Sequence, residues 1–523
     1  METELKLTAS AAHLQQISAQ RLLQDFATMA PRTRQLTSHY FDTPDSALHK
    51  HGLALRVRQD ADHNTQTLKD LGDGAAAGAL QRAEWETPVP SVTPDVRGLL
   101  KANHLPGKVA KTLRRASEDG RLAEQFTVHA NRTTWMLDVD GARIEVALDE
   151  GAVHANGVDS PFAEIELELK SGNKSALYKA AHQLALHVPV QLSFISKAER
   201  GFALLGAGMR PRKAGPVAFP RRASVEQGMR RILAGCLEHA QANAQGFLDS
   251  DDPEYLHQLR VGMRRFKSAL KLFRGLVALP PELQHLLDEE STLLGSARDA
   301  DVLLLTTLPK IAKAGRHETF LQPLVDHAQA CAAERRAAAR AAIHSTRHAQ
   351  LMLALFEWID GKGWRKDASR AGRARLRQPL AGYARHAAVA AHAVVAKRAR
   401  KVQKLGGHDS ASLHRLRIGA KQARYAVEFF ADIERPARAA RHVKALAGVQ
   451  DALGMLNDAH VAHSLLAGFV QSSPALAPAA GVVSAYLDGM AASRLASRKA
   501  PWGALARRKA ARRAHGLVRK GGK

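Results

Sequence analysis

The feature that most constrains the fold is a two-residue alternation in which one repeated face is charged. METELKL (1–7) sets Glu2, Glu4 and Lys6 on one side of an extended strand and Leu5 and Leu7 on the other. The same texture recurs in LALRVR (53–58), QTLKD (66–70), RAEWE (82–86), TTWMLDV (133–139), ARIEVALDE (142–150) and AEIELELK (163–170). One face carries Arg56 and Arg58, or Arg82, Glu84 and Glu86, or Arg143, Glu145 and Asp149, or Glu164, Glu166, Glu168 and Lys170. The other carries Leu53, Leu55 and Val57, or Ile144, Val146 and Leu148, or Ile165, Leu167 and Leu169. A single such strand is an exposed edge with a wet face. Charged faces of both signs on nearly every strand fit a barrel with a polar lumen and an apolar outside covered by helices. The alternative is an ordinary sheet with surface ion-pair ladders. Helical segments are expected near 9–29, 92–103 and 173–187.

Such a lumen combines two chemistries. Clustered carboxylates suit Mg2+ or Mn2+, which prefer oxygen ligands. Arginine and lysine bind phosphate oxygens, arginine through a planar fork and lysine as a point charge. A metal-chelated chain of phosphates needs both. The Gly-rich GDGAAAG (72–78) is read as a loop; it lacks the Lys-Ser/Thr of a P-loop. No Ser/His/Asp triad is apparent, and none is needed if water is the nucleophile.

The opening Glu2-x-Glu4-x-Lys6 resembles the signature of the CYTH, or triphosphate tunnel metalloenzyme, family. The resemblance continues in family order through YFDT (40–43), LALRVR, TLK (67–69), RAEWE, EVALDEG (145–151), EIELELK (164–170) and SKAERG (196–201), over roughly residues 1–205. It implies an α+β domain: an eight-stranded antiparallel β-barrel tunnel with flanking helices, acting on triphosphates with a divalent metal, Mg2+ or Mn2+. It implies metal ligation by Glu2, Glu4, Glu164 and Glu166, with Asp149 or Glu145 assisting and Glu168 as a further ligand. Lys6, Arg56, Arg58, Lys69 and Lys197 become the catalytic cations, and Arg82, Arg132 and Arg200 further triphosphate contacts. A triphosphate carries about four negative charges at neutral pH. Basic side chains and one metal would neutralise it, a second metal would polarise water in line with the terminal phosphorus, and diphosphate and phosphate would leave.

The second part of the chain differs in charge and texture. Residues 1–210 hold 24 Lys/Arg and 25 Asp/Glu, a net of −1; the overall +26 therefore leaves +27 for residues 211–523. An excess of that size calls for a polyanionic partner. Residues 207–222, AGMRPRKAGPVAFPRR, read as a linker. Beyond it Ala, Leu, Arg and His recur at helical spacing. LHQLRVGMRRFKSALKLF (256–273) aligns with LHRLRIGAKQARYAVEFF (413–430) at an offset of 157, and LGSARDADV (294–302) is followed by its counterpart LGMLNDAHV (453–461). Duplicated helical units predict two similar bundles.

Those segments resemble the CHAD, or conserved-histidine α-helical, family over about residues 218–510, in HxxRVxxRR and HxxRIxxK and their two partner motifs. The resemblance implies an all-α domain of two pseudo-symmetric four-helix bundles with a basic groove that binds inorganic polyphosphate. Carried over, the contacts are His257, Arg260, Arg264, Arg265, Lys267, Lys271, His414, Arg417, Lys421 and Arg424. Gln422 stands where the first copy has Arg265. Asp299 and Asp458 are expected to orient basic side chains. The expected division is 1–206 tunnel domain, 207–222 linker, 223–510 helical domain and 511–523 basic tail.

The sequence thus points to an inorganic triphosphatase with a polyphosphate-binding domain. The alternatives are a polyphosphate-granule adaptor with little catalysis, or turnover of an organic triphosphate by adenylyl cyclisation or thiamine triphosphate hydrolysis. With 5% aromatic residues the chain offers little base stacking, which disfavours nucleic acid as a partner. No run of 18 apolar residues and no basic-then-apolar leader occurs, and Cys236 and Cys331 stand far apart. Two thiols in a reducing cytoplasm, without membrane insertion, are therefore expected.

Overall fold

The computed structural model describes residues 2–496 except 20, 62, 72–79, 187, 207, 316–317, 406–408 and 434–435. The predicted loop 72–78 and tail 511–523 lie outside the described residues. Two compact units are present. The first comprises Met1–Arg212, Leu237–Asp251 and Ala342–Gly363; the second comprises Lys213–Cys236, Asp252–Ala341 and Trp364–Lys523.

The first unit is built on ten strands: β1 (Glu2–Thr8), β2 (Arg32–Asp42), β3 (Leu53–Asp60), β4 (His63–Asp70), β5 (Leu80–Arg82), β6 (Glu84–Val89), β7 (Ala123–Val139), β8 (Ala142–Ala155), β9 (Val158–Ser171) and β10 (Gln191–Leu192). All pairings are antiparallel, in the order β10-β1-β9-β8-β7-β2-β3-β4-β6, with β5 on β1. The expected closed eight-stranded barrel is therefore corrected to a ten-stranded sheet that is not closed into a barrel. The physical reason is a strand break at Ala83. β6 pairs with β4, whereas β5 pairs with β1 over only Glu2–Arg82, Thr3–Gln81 and Glu4–Leu80.

Two tight hairpins set the register of the central strands. Asp140-Gly141 joins β7 to β8 and Asn156-Gly157 joins β8 to β9, all four residues at positive φ (52°, 76°, 50° and 73°). These are Asp-Gly and Asn-Gly turns whose twist matches that of the strands. The register then places Glu166 opposite Lys6 on β1 and Ala147 on β8, and Asp149 opposite Arg132 and Glu164. Alternation sends Leu53, Leu55, Val57 and Leu68 to the other face, where they pack with Leu48, Val96, Leu99 and Leu113 in one buried cluster.

The helix Lys197–Leu205 seats a second cluster on the inner face. Tyr40, Phe126, Val128, Val153 and Phe162 pack there with Ala198 and Phe202. Its N-terminus carries a capping box, with Ser196 and Glu199 satisfying each other's backbone N–H groups. Gly201 is required by close approach, since a Cβ there would stand 2.1 Å from the Phe126 ring. At the β10 edge, Gln191 Nε2 donates to the Ile343 carbonyl oxygen at 2.6 Å, and the Tyr178 hydroxyl donates to Asp360 at 2.8 Å.

The second unit is helical, and its elements repeat. Pro253–Leu272 and Ser410–Phe429 are both 20 residues long, and their bounds differ by 157 at each end. Pro281–Val302 corresponds to part of Pro436–Ser472, with LGSARDADV and LGMLNDAHV 159 residues apart, and each is followed in the chain by a further helix, Glu318–Ile343 and Ala477–Ala496. Apolar side chains of these last helices and of the Leu303–Thr307 turn after Val302, among them Leu303, Leu321, Leu324, Leu466, Val483 and Leu487, share one core. The segment Pro474–Ser493 is long and apolar enough by composition to cross a membrane, and 28% of it is buried in the protein.

Candidate active site

The inner face of the sheet gathers charges of both signs. Lys197 Nζ lies 2.8 Å from Asp149 Oδ2, 2.8 Å from Glu164 Oε2 and 2.9 Å from Glu166 Oε1. Arg132 donates through Nε and one terminal nitrogen to both oxygens of Asp149 (2.6 and 2.5 Å) and reaches Glu166 at 2.5 Å. Lys6 Nζ approaches Glu164 at 2.8 Å and donates to the Ile195 carbonyl oxygen at 3.2 Å. Arg200 is more distant, 3.4 Å from Glu164. The structure thus brings together Lys6, Arg132, Asp149, Glu164, Glu166, Lys197 and Arg200.

The electrostatics follow from this crowding. Burial alone would push the Glu166 carboxyl up, but Lys197, Arg132 and Lys6 hold it well below the usual range. Burial opposes ionisation of Glu164 and Asp149 too, and both are held low by Lys197, then Lys6 and Arg132 respectively. Lys197 is buried, yet the three carboxylates raise its pKa.

A second set of cations lies on β3 and β4. Arg56 is buried; its pKa is lowered by burial but raised on balance by Tyr40, Glu84 and Glu86. Burial and the neighbouring Arg56 and Arg132 bring Arg58 down to about 10. The Nε donors of Arg56 and Arg58 are buried without a hydrogen-bond partner. Lys69 ion-pairs with Glu84. Desolvation and Arg56 nevertheless lower it to about 8. Buried unpaired donors each cost about 1–3 kcal/mol, so a fold that keeps them points to an absent acceptor.

The remaining predicted residues divide. Glu168 and Glu145 face each other across β8 and β9 and share Lys170, at 2.6 and 3.4 Å, away from the Lys197 cluster. Glu4 lies opposite Glu168 on β1 and contributes to the field at Lys69. The side chains of Glu2 and Arg82 lie outside the described residues; their backbones pair across β1 and β5. Glu84, Glu86 and Tyr40 border the arginines and are not among the predicted site residues. The charged alternation of RAEWE and the Tyr40 of YFDT were the signals for them.

The donor set suits a hard divalent cation. Both Glu164 oxygens are buried and accept no aligned hydrogen bond, although two lysines stand at ion-pair distance. Among the described residues no three acidic, histidine or cysteine side chains already form a cation cage. A divalent ion here would be held through one or two carboxylates, with its shell completed by substrate phosphates and water.

In the second unit the two repeated helices pack on each other. Arg264 Nε donates to the Tyr425 hydroxyl at 3.0 Å. Arg260 stands 3.5 Å from Asp299, and its counterpart Arg417 donates to Asn457 at 2.6 Å. Lys421 feels burial and then the charges of Arg264, Arg417 and Arg260, and falls to about 7. Burial and Arg298 lower His257, whose counterpart His414 is exposed. Lys271 is exposed, Lys267 ion-pairs with Asp288, and Arg424 lies 3.5 Å from Glu428. Arg265 is taken up elsewhere: it is buried, donates to Glu428 at 2.7 Å, and stacks over Tyr425 and Phe429.

Comparison with known proteins yields matches for both units. The family model of the CYTH domain matches residues 1–202, and that of the CHAD domain matches residues 231–467. The inorganic triphosphatase of Haemophilus influenzae is 32% identical over 207 residues, 39% of this chain and 54% of that protein. The chain thus spans about half the length of that curated relative. Among solved structures, the CHAD domain of the plant Ricinus communis is 35% identical, covers 60% of this chain and 100% of its own, and superposes with a TM-score of 0.51. A putative adenylyl cyclase from Hippeastrum, described as revealing a dominant triphosphatase activity, is 21% identical over 40% of this chain and 98% of its own, with a TM-score of 0.30.

Proposed function

The chain is a CYTH domain followed by a CHAD domain, and from that premise we propose that its first unit hydrolyses inorganic triphosphate to diphosphate and phosphate. The observation that carries this reading is the inner face of the sheet. Buried arginine donors without partners on β3 stand in one charged field with the Asp149, Glu164 and Glu166 carboxylates on β8 and β9.

In this reading Arg56, Arg58 and Lys69 bind the phosphate chain, and Lys6, Arg132, Lys197 and Arg200 extend the basic track. Arg82 joins them from β5. Glu164, with Glu166 and Asp149, would hold Mg2+ or Mn2+, and Glu2 and Glu4 on β1 would complete the acidic side with Glu145 and Glu168 as outlying members. The bound ion would supply charge neutralisation and Lewis-acid polarisation. Lys197 and Arg132 bind the same carboxylates when no substrate is present, so they hold the acidic side in place and remain available to phosphate oxygens.

We further propose that Arg260, Arg264, Arg417 and Lys421, flanked by His257, Lys267, Lys271, His414 and Arg424, bind inorganic polyphosphate. Arg265 supports that surface from within. A reducing cytoplasmic setting belongs to the same reading. The untagged full chain should release phosphate from triphosphate with Mg2+ or Mn2+, and chelator should abolish it. Faster turnover of ATP or thiamine triphosphate would overturn the substrate assignment. Equal competition by duplex DNA at matched salt would overturn the polyphosphate assignment.

A further inference from the structure

We propose that His129 and His154 form a two-imidazole binding site for a divalent transition-metal ion of the imidazole-preferring class, Zn2+ or Cu2+, on the exposed outer face of the sheet. This site is separate from the charged inner face and independent of the proposed hydrolysis.

The register creates the site. His39 on β2 lies opposite Thr127 on β7, Thr127 lies opposite His154 on β8, and His154 lies opposite Asp159 on β9. His129 pairs with Thr37 one step along. Because side chains alternate, His39, His129, His154 and Asp159 all point away from the charged inner face. The rings of His129 and His154 meet edge to face with centroids 4.8 Å apart.

Each imidazole is already oriented through one nitrogen. His154 Nδ1 is 2.6 Å from Asp159, His39 Nδ1 is 2.8 Å from Glu124, and His129 Nδ1 is 3.2 Å from the Thr37 hydroxyl. Partners of this kind fix ring orientation and tautomer in metal sites, and a carboxylate partner raises ligand basicity. Among the described residues the Nε2 of each ring has no protein partner. Burial lowers the His129 pKa, and the charges of His154 and His39 lower it further. The neutral, ligating form therefore prevails near neutral pH. Two imidazoles supply two ligands and water the rest; among the described residues no third histidine, cysteine or carboxylate completes a preformed cage. Nitrogen ligands separate this site from the all-oxygen inner face, which suits Mg2+ or Mn2+.

The test is titration of Cu2+ into the untagged full chain in excess Mg2+, followed by calorimetry and by nitrogen hyperfine structure in electron paramagnetic resonance. The wild type should bind one ion with at least two imidazole nitrogens. His129→Ala and His154→Ala should each weaken binding by roughly 10-fold or more, and Asp159→Asn by about 10-fold. Binding should fade as pH drops through the imidazole range. Phosphate release from triphosphate with Mg2+ should be the same in all three variants, which reports an intact fold. Copper affinity of His129→Ala/His154→Ala equal to that of the wild type, or a signal without imidazole nitrogen, would overturn the site.

Discussion

Lys197 Nζ and Asp149 Oδ2 stand 2.8 Å apart on the inner face of the sheet, one from a capped helix and the other from the middle of β8. Asp149 is fully buried and Lys197 is 11% exposed, and Glu164 and Glu166 share the same ammonium. Removing one partner of such a pair leaves an uncompensated charge, which typically costs about 3–5 kcal/mol. Lys197→Met should therefore lower the thermal midpoint of the first unit and reduce phosphate release by roughly 100-fold or more. Lys197→Arg should recover much of the stability and less of the activity. Scanning calorimetry and a phosphate-release assay on the same preparations separate the two effects.

The same network sets an acid limit. Asp149, Glu164 and Glu166 have folded pKa values depressed below their unfolded ones, so they stabilise the fold fully above the unfolded range, near pH 4. As pH falls further, the unfolded state takes up protons that the folded state does not. The contribution is lost as pH drops through the folded values. The thermal midpoint should fall steeply below about pH 4. In Lys197→Met the folded carboxyls titrate closer to their unfolded values, so the acid-dependent loss should be smaller and complete at higher pH.

Much of this arrangement was legible in the sequence, because a strand has a period of two and charge at that period is unambiguous. Each segment read as a charged strand falls on β1 or β3–β9, with RAEWE split between β5 and β6 at Ala83. The strand β2 was not legible: Thr37 and His39 are polar on the outer face, and Ser38 interrupts Leu36 and Tyr40 on the inner one. The break at Ala83 was hidden because RAEWE alternates without a flaw. The repeat at offset 157 is kept by the bounds of the paired helices, which start three residues before the aligned segments. It was silent on Arg265, whose burial depends on Tyr425, Glu428 and Phe429 of the other copy.

Arg265→Met should accordingly destabilise the second unit, because it removes a buried charge-assisted hydrogen bond and two ring contacts. A loss of about 1–3 kcal/mol is expected. Polyphosphate affinity measured below the unfolding transition should change little. Arg264→Met should show the reverse balance.

Lys421 titrates at about 7 in the free protein because burial and three arginines disfavour its charge. Polyphosphate favours the charged form, so binding should take up a proton and weaken as pH rises from about 6 to about 8.5. Lys421→Arg, which stays charged, should flatten that dependence. Calorimetry in buffers of different ionisation enthalpy reads the proton directly.

His392 is buried with neither ring nitrogen hydrogen-bonded, and its ring lies 5.1 Å from that of His442. Burial lowers both pKa values, that of His442 to about 4. Neutral in the folded state, the pair loses stabilising influence once the unfolded histidines protonate. Stability of the second unit should therefore fall as pH drops from about 6.5 towards about 4. His392→Leu should reduce that slope in a pH series of thermal melts.

The central claim is hydrolysis of inorganic triphosphate on the inner face of the sheet. Phosphorus-31 NMR of the full chain with triphosphate and Mg2+ tests it most directly. The account predicts diphosphate and phosphate in equal amounts, with Glu164→Gln and Arg58→Met each slowing turnover by roughly 100-fold. Unchanged turnover in both variants, or ATP consumed faster than triphosphate by the wild type, would contradict it.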